Sequence, residues 1–262
     1  MTLWKHEIKM NIKSLLIWSC CIGIVNFGCL LLFENLADTM EQMAKSYSQM
    51  GSFSTVLGLD RLSIATMEGF YATELGLIFA IGGAMFAAMT GASMLAKEEE
   101  GHTSEFLHTL PFGRGYIIRW KYLAMLSVII LFQLIVILWE ILGFAIAGEM
   151  PEVQEYLLFH GAQFFMHLEI GSICFLISAV NKKKQIGAAL GLAVLLYVAD
   201  MMCRIVPDIE NLKYVTPYYF SNATDIFTSG KVDCGELGIG IVITTAALIC
   251  AVGVYTRKDL TV

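Results

Sequence analysis

The run SLLIWSCCIGIVNFGCLLLF, residues 14–33, decides the fold class because no charged side chain interrupts it. A helix that rises about 1.5 Å per residue needs about 20 apolar residues to cross the roughly 30 Å of hydrocarbon in a bilayer. The preceding MTLWKHEIKMNIK is a long charged leader, and the apolar run is too long for a signal peptide and ends without a small-residue cleavage pattern. We therefore predict an uncleaved first membrane span.

Five more runs of this kind follow along the chain. They agree with the composition, because the mean hydropathy is +0.68 and 15% of residues are charged, whereas about a quarter are charged in a soluble domain. The predicted spans are residues 14–33, 75–95, 122–147, 157–180, 186–206 and 236–255. Since no connection is long enough for a separate soluble domain, we predict a single all-α polytopic membrane domain over residues 1–262.

The distribution of Lys and Arg predicts the orientation of these spans. If the N-terminus is cytoplasmic, twelve basic residues fall on the inner segments and four on the outer loops. The twelve are Lys5, Lys9, Lys13, Lys97, Arg114, Arg119, Lys121, Lys182, Lys183, Lys184, Arg257 and Lys258, and the four are Lys45, Arg61, Lys213 and Lys231. We therefore expect a multi-pass protein of the plasma membrane with both termini in the cytoplasm.

Two segments outside the spans have the periodicity of amphipathic helices. One precedes the first span and places apolar residues between Lys5, Lys9 and Lys13. The other lies in the first outer loop. Their apolar stripes are Leu3, Trp4, Ile8, Ile12 and Leu15, and Leu36, Met40, Met43, Tyr47 and Met50. We expect both helices to lie at the membrane interface, in contact with lipid. For the methionine-rich stripe of the second helix we expect packing, and cargo binding is the alternative.

The most polar stretch, AKEEEGHTSEFLHTLPFGRGYIIRWK, connects the second and third spans at residues 96–121. After Gly101 the sequence predicts about two helical turns, which Pro111 ends because proline cannot continue the hydrogen-bond ladder. Three apolar residues share one face of this helix, namely Phe106, Leu107 and Leu110. No cytoplasmic part of the chain is large enough to cover that face, which implies a protein partner. The alternative is a solvated linker whose acids balance nearby bases.

The order of residues in this stretch resembles the inner loop of ABC-2 type permeases. The matching positions are Glu98, Glu99, Gly101, Glu105, Leu107, Leu110, Pro111, Arg114 and Lys121. Leu110 and Phe112 replace the small residues that the family usually has around the proline, and His102 displaces its threonine by one place. Two further stretches, KYVTPYYFSNATDIFTSGKVD and the terminal YTRKDL, are similar to the same family.

The resemblance implies that residues 101–111 form a coupling helix, which seats in a groove of a separate ATPase subunit. The residues expected to couple to the ATPase are Glu98, Glu99, Gly101, Glu105, Phe106, Leu107, Leu110, Pro111 and Arg114. It also implies an exporter of a bacterial membrane, in which two copies of this chain, or this chain and a related one, pair with two ATPases. The sequence itself lacks a GxxxxGK[ST] loop. ATP and Mg²⁺ are therefore expected on the partner, with no cofactor and no enzymatic activity on this chain.

Polar residues within the spans are candidates for a translocation path, because an ionisable group at mid-bilayer costs at least about 2.5 kcal/mol. These candidates are His160, Gln163, His167, Glu169 and Asp200. Glu169 lies near the midplane with no obvious partner, whereas Arg204 follows Asp200 by one turn, which favours an ion pair. Glu140 is expected to lie close to the outer interface, where its charge costs little. His160, Gln163 and His167 belong to a stripe that either contacts other helices or lines the path.

Catalysis, metal binding and nucleic-acid binding are not expected. His160 and His167 are two turns apart and have no clear third ligand for a metal. Two other functions stay open. One is a secondary transporter or channel driven by an ion gradient through Glu169, His167 and Asp200. The other is a membrane scaffold that transports nothing.

Overall fold

The computed structural model describes residues 2–47, 51, 54, 58–59, 61–109 and 111–258. In chain order the elements are α1 (Thr2–Leu32), a 3₁₀ turn (Glu34–Leu36), α2 (Ala37–Tyr47), α3 (Met67–Ser93), α4 (Ala96–Glu100), α5 (Ser104–Thr109), α6 (Arg114–Ala147), α7 (Val153–Val180), α8 (Ile186–Ile205), a 3₁₀ segment (Pro207–Tyr214), α9 (Pro217–Phe220), α10 (Ala223–Ser229) and α11 (Cys234–Arg257). Six of them, α1, α3, α6, α7, α8 and α11, are long and apolar enough to cross a membrane. The prediction of an all-α protein with six membrane helices is confirmed.

The six long helices form a bundle with α3 and α7 at its centre. Helix α1 packs against α6, α7 packs against α3 and α11, and α8 packs against α3. About two thirds of the most apolar part of α3 is buried (67%), but only 17% of that part of α11 is. Stacked rings of Phe79, Phe86 and Phe132 fill the centre. The outer helices therefore leave broad apolar faces for lipid or for another chain.

Small residues let the two central helices approach closely. A Cβ added to Gly91 of α3 would overlap the backbone carbonyl oxygen of Gly171 in α7, and one added to Gly83 would overlap the ring of His167. Such close approach is typical of small residues at contacts between membrane helices. The glycines of α8 differ, since a Cβ at Gly187 or Gly191 would meet no atom within 4 Å in the part of the chain that the structure describes.

Helix α1 is longer than the predicted span, because no break separates the amphipathic segment from it. Leu3, Trp4 and Ile8 of that segment pack against a core cluster that includes residues of α6, whereas Ile12 is exposed. The indole Nε1 of Trp4 donates to Ser127 Oγ of α6 at 3.0 Å. Helix α6 also begins earlier than expected, at Arg114, since nothing after Gly113 breaks a helix. The second amphipathic segment forms α2, in which Met40 is buried. Met50 of its predicted stripe lies outside the described residues.

The bundle has two distinct ends. One end gathers the start of α1, the α4–α5 connection, the link between α7 and α8 at residues 181–185, and Lys258 after α11. We call it the basic end, because the twelve basic residues grouped by the sequence lie there. The opposite end carries α2, α9, α10 and the remaining connections.

Candidate functional sites at the two ends of the bundle

The polar connection at residues 96–121, which contains the predicted coupling helix, forms two short helices joined by a turn at the basic end. Helix α4 ends at Glu100 with Gly101 as its C-cap, His102 adopts a left-handed conformation with φ of 53°, and α5 covers Ser104–Thr109. The backbone N–H of Thr103 donates to the carbonyl oxygen of Glu98 at 2.9 Å, which closes the turn. Helix α5 ends before Pro111, as the sequence predicts.

The apolar residues of α5 have different surroundings. Phe106 exposes 72% of its surface, which is more than any other large apolar residue among those described. Leu107 is half-buried and packs against the core of the basic end. Gly101 and Pro111 are exposed. The predicted coupling residue Leu110 and the side chain of Glu105 lie outside what the structure describes.

Glu98 belongs to a buried ion cluster around Lys121, a residue of α6 with no exposed surface. The Nζ of Lys121 donates to Glu7 Oε1 at 2.7 Å, to the backbone oxygen of Met94 at 3.0 Å and to Glu98 Oε1. Lys97 donates to the other carboxylate oxygen of Glu7. Burial raises the pKa of the Glu98 carboxyl, and Lys121 opposes that rise. The cluster joins α4 to α1 and α6.

The next two glutamates of the EEE run bind other parts of the chain. Glu99 Oε1 accepts from Lys258 Nζ at 2.6 Å, and Lys258 also donates to the backbone oxygen of Asn181 at 2.9 Å. Glu100 Oε2 accepts from the backbone N–H of Lys184 at 2.8 Å. Arg114, another predicted coupling residue, donates to the backbone oxygen of Lys258 at 2.7 Å. These side chains therefore hold α4 and α6 to the ends of α7 and α11.

A second buried polar cluster lies at the opposite end, around Glu140 of α6. Its carboxylate is fully buried and accepts from Asn26 Nδ2 at 2.8 Å and from the hydroxyls of Tyr71 and Tyr156 at 2.9 Å each. His160 Nε2 lies 3.1 Å from the same oxygen as the two hydroxyls. The expectation that Glu140 is an ordinary interface residue misses this cluster. The signal in the sequence is the pair Tyr156 and His160, one turn apart on α7.

The residues predicted to line a path have different surroundings. His160 belongs to the Glu140 cluster, and His167 is enclosed by the rings of Phe79 and Phe132 with Nε2 lying 3.3 Å from the backbone oxygen of Ala80. Gln163 Nε2 donates to the backbone oxygen of Ser221 at 2.8 Å. Gln163 and Asp200 line one cavity of about 50 Å³, whose other lining residues belong to α3, to α8 and to the segment 218–224.

Asp200 has the partner that its spacing predicts. Arg204 Nε donates to Asp200 Oδ2 at 3.0 Å, so the expected ion pair is confirmed. Arg204 also donates to Asp225 Oδ2 at 2.7 Å, and Asp225 in turn pairs with Arg61. The result is a chain of alternating charges that joins α8 to α10 and to the connection before α3.

Glu169 lies apart from that cavity, at the contact of α7 with α11. It is 2% exposed, and a Cβ added to Gly240 would overlap its Oε2. Among the described residues, Glu169 Oε2 has no hydrogen-bond partner. Gly240 on α11 therefore leaves space for the Glu169 carboxyl. The sequence of α7 alone does not reveal this neighbour.

Among the described residues, no group of three or more His, Cys, Asp or Glu side chains is placed to hold a metal ion. A family model described as "ABC-2 family transporter protein" matches residues 1–260. The matched range includes the whole bundle and the ion clusters at both of its ends. A search of curated proteins found no match.

Proposed function

Because this chain belongs to the ABC-2 family of transporter proteins, we propose that it is the membrane-spanning permease subunit of an ATP-driven exporter. A separate ATPase subunit binds ATP and Mg²⁺ and docks on the basic end through α5. Closure of two such ATPases moves the permease helices and carries the cargo across. One observation carries the assignment of the docking site: Phe106 on α5 is 72% exposed, while the next residue, Leu107, is held against the bundle.

The surroundings of Phe106 support this assignment. A large aromatic side chain exposed to water is typical of an anchor in a protein interface. Leu107 holds α5 against the bundle, and the ion pairs of Glu98 and Glu99 hold α4 to α1, α6 and α11. A force applied to Phe106 would therefore reach several membrane helices. Glu98, Glu99 and Arg114 act in coupling as anchors within this chain, while Phe106, Gly101 and Pro111 face the ATPase.

The same proposal includes the membrane and the second permease chain. The excess of basic residues at one end favours a cytoplasmic basic end, in the plasma membrane of a bacterium. Helix α8 supports a contact with a second copy or a related chain, because Gly187 and Gly191 are exposed and are followed by exposed Leu195 on the same helix. Small residues at such positions let two membrane helices approach closely.

The test is co-purification of the tagged full-length chain from its native membrane, with identification of the bound proteins and an ATP hydrolysis assay of the eluate. We expect a stoichiometric ATPase subunit. Phe106→Asp should remove it, because a charge cannot enter the apolar groove that would receive the ring. Phe106→Leu keeps an apolar side chain and should retain much of the ATPase.

The matched control is Gln154→Asp, which adds the same charge at an exposed position on the opposite end. It should leave the recovered ATPase unchanged, and all three variants should insert in the membrane equally. Equal recovery of ATPase with Phe106→Asp and with Gln154→Asp would exclude Phe106 as the docking site. A chain that purifies without any ATPase would instead support the membrane scaffold.

A further inference from the structure

Three lysines lie in a row on the outer surface of α1, and we call them the lysine stripe. Lys5, Lys9 and Lys13 recur every four residues, which places them on one face of the helix, and all three are exposed. Since an α-helix rises about 1.5 Å per residue, the lysine stripe extends for about 12 Å along α1. It ends directly before the apolar run at residues 14–33. The lysine stripe therefore lies at the border of the first membrane span.

In the part of the chain that the structure describes, the lysine stripe has no counter-charge. Its side chains form no ion pair and no hydrogen bond with a described residue. The acid of the same helical segment, Glu7, is 1% exposed and points into the bundle, where it binds Lys97 and Lys121. Three positive charges therefore stay on the surface of the helix.

The glutamates of the nearby EEE run are bound elsewhere. Glu98 pairs with Lys121, and Glu99 pairs with Lys258. Glu100 accepts a hydrogen bond from a backbone N–H of the link between α7 and α8. The counter-charge of the lysine stripe therefore comes from the surroundings of the chain.

Exposed apolar side chains lie beside the lysine stripe and continue beyond it. Met10 and Ile12 are exposed between the lysines, and Leu16 and Ile17 are exposed in the turn that follows Lys13. The cationic surface thus passes without interruption into the surface that faces acyl chains. A water-soluble protein that covered the lysines would end at the membrane. A phospholipid, in contrast, presents its phosphate to the lysines and its acyl chains to the apolar residues.

We propose that the lysine stripe binds acidic phospholipids, with the lysine ammonium groups on the lipid phosphates. Each lysine close to an anionic leaflet strengthens binding about fivefold, so three lysines give a preference on the order of a hundredfold over a zwitterionic lipid at low salt. The long lysine stems lie along apolar surface while the charged ends reach the head groups. The bound lipid holds the turn of α1 that carries Glu7, and thereby the ion cluster of the basic end. The lipid site does not depend on the assignment of the ATPase partner.

The test is native mass spectrometry of the purified full-length chain in a non-ionic detergent, titrated with phosphatidylglycerol or with phosphatidylcholine of the same acyl chains. We expect phosphatidylglycerol to bind at least tenfold more tightly, and added salt to reduce the difference. The triple variant Lys5→Gln, Lys9→Gln and Lys13→Gln should bind phosphatidylglycerol about tenfold or more weakly. Replacement of the same three lysines by arginine keeps the charges and should keep the preference.

The matched control is the triple variant Lys182→Gln, Lys183→Gln and Lys184→Gln. It removes the same charge from exposed lysines at the same end of the bundle, but in the link between two helices. The control should keep the preference for phosphatidylglycerol. Equal affinity of the unaltered chain for the two lipids, or equal losses in the two glutamine variants, would overturn the proposal. So would a lysine-stripe variant that keeps the lipid preference but loses a co-purifying ATPase, because the stripe would then belong to a protein interface.

Discussion

Replacement of Lys121 by methionine tests whether the ion cluster of the basic end stabilises the bundle. Methionine keeps most of the volume of the side chain but removes the ammonium group, which binds Glu7, Glu98 and the backbone oxygen of Met94. Removing one partner of a buried ion pair costs about 3–5 kcal/mol. Here Glu98 loses the ammonium group that binds it, and Glu7 keeps only Lys97. With a shift of about 2–4 °C per kcal/mol, the Tm should fall by roughly 6–20 °C.

The assay is thermal unfolding of the purified chain in nanodiscs, followed by tryptophan fluorescence. Lys5→Met is the control, because Lys5 lies exposed on α1 at the same end and its loss should change the Tm little. The double variant Glu7→Gln with Lys121→Met removes both charges and should lose less than the sum of the two single losses, by about 0.5–3 kcal/mol. Equal Tm values for Lys121→Met and Lys5→Met, or strictly additive losses, would refute the reasoning.

Two further predictions concern the packing and the second polar cluster. Gly91→Ala should destabilise the bundle by about 1–3 kcal/mol, because its Cβ would overlap the backbone oxygen of Gly171; Gly191→Ala, with open space around it, should be neutral or stabilising by up to about 1 kcal/mol. Comparison of the two Tm values checks this, and equal values would contradict the close contact. Glu140→Gln should cost about 1–3 kcal/mol, because an amide NH₂ cannot accept the hydrogen bond of Asn26 on one side of the group or those of Tyr71 and Tyr156 on the other; an unchanged Tm on thermal unfolding would count against the cluster.

The long helices could be predicted from the sequence because span length and hydropathy are local properties. Their ends were less predictable. The start of α1 carries Lys5, Lys9 and Lys13, so the sequence favours a separate interfacial helix, yet its other face packs on α6 through Trp4 and Ser127. That contact joins residues 123 positions apart, and no periodicity in either helix reveals it.

For the polar residues, too, local pairs could be predicted from the sequence and contacts between distant helices could not. The pair Asp200 and Arg204 could be predicted, because residues one turn apart on a helix are neighbours. The cluster around Glu140 could not be predicted, because only the depth of Glu140 along its helix can be read from the sequence. Its partners Asn26 and Tyr71 lie on two other helices. The space beside Glu169 likewise comes from Gly240 on α11. To identify partners on distant helices, one must know how the helices pack, and the sequence of one chain does not reveal this.

The EEE run also has a consequence for biosynthesis. Its three carboxylates bind residues that leave the ribosome at different times: Lys121 soon after the run itself, Lys184 later, and Lys258 after all six long helices. The ion pair between Glu99 and Lys258 can therefore form only after the last helix has been inserted. A nascent chain that stalls before α11 presents this carboxylate without that ion pair, and proteases that survey membrane proteins would meet an incompletely fastened α4–α5 connection.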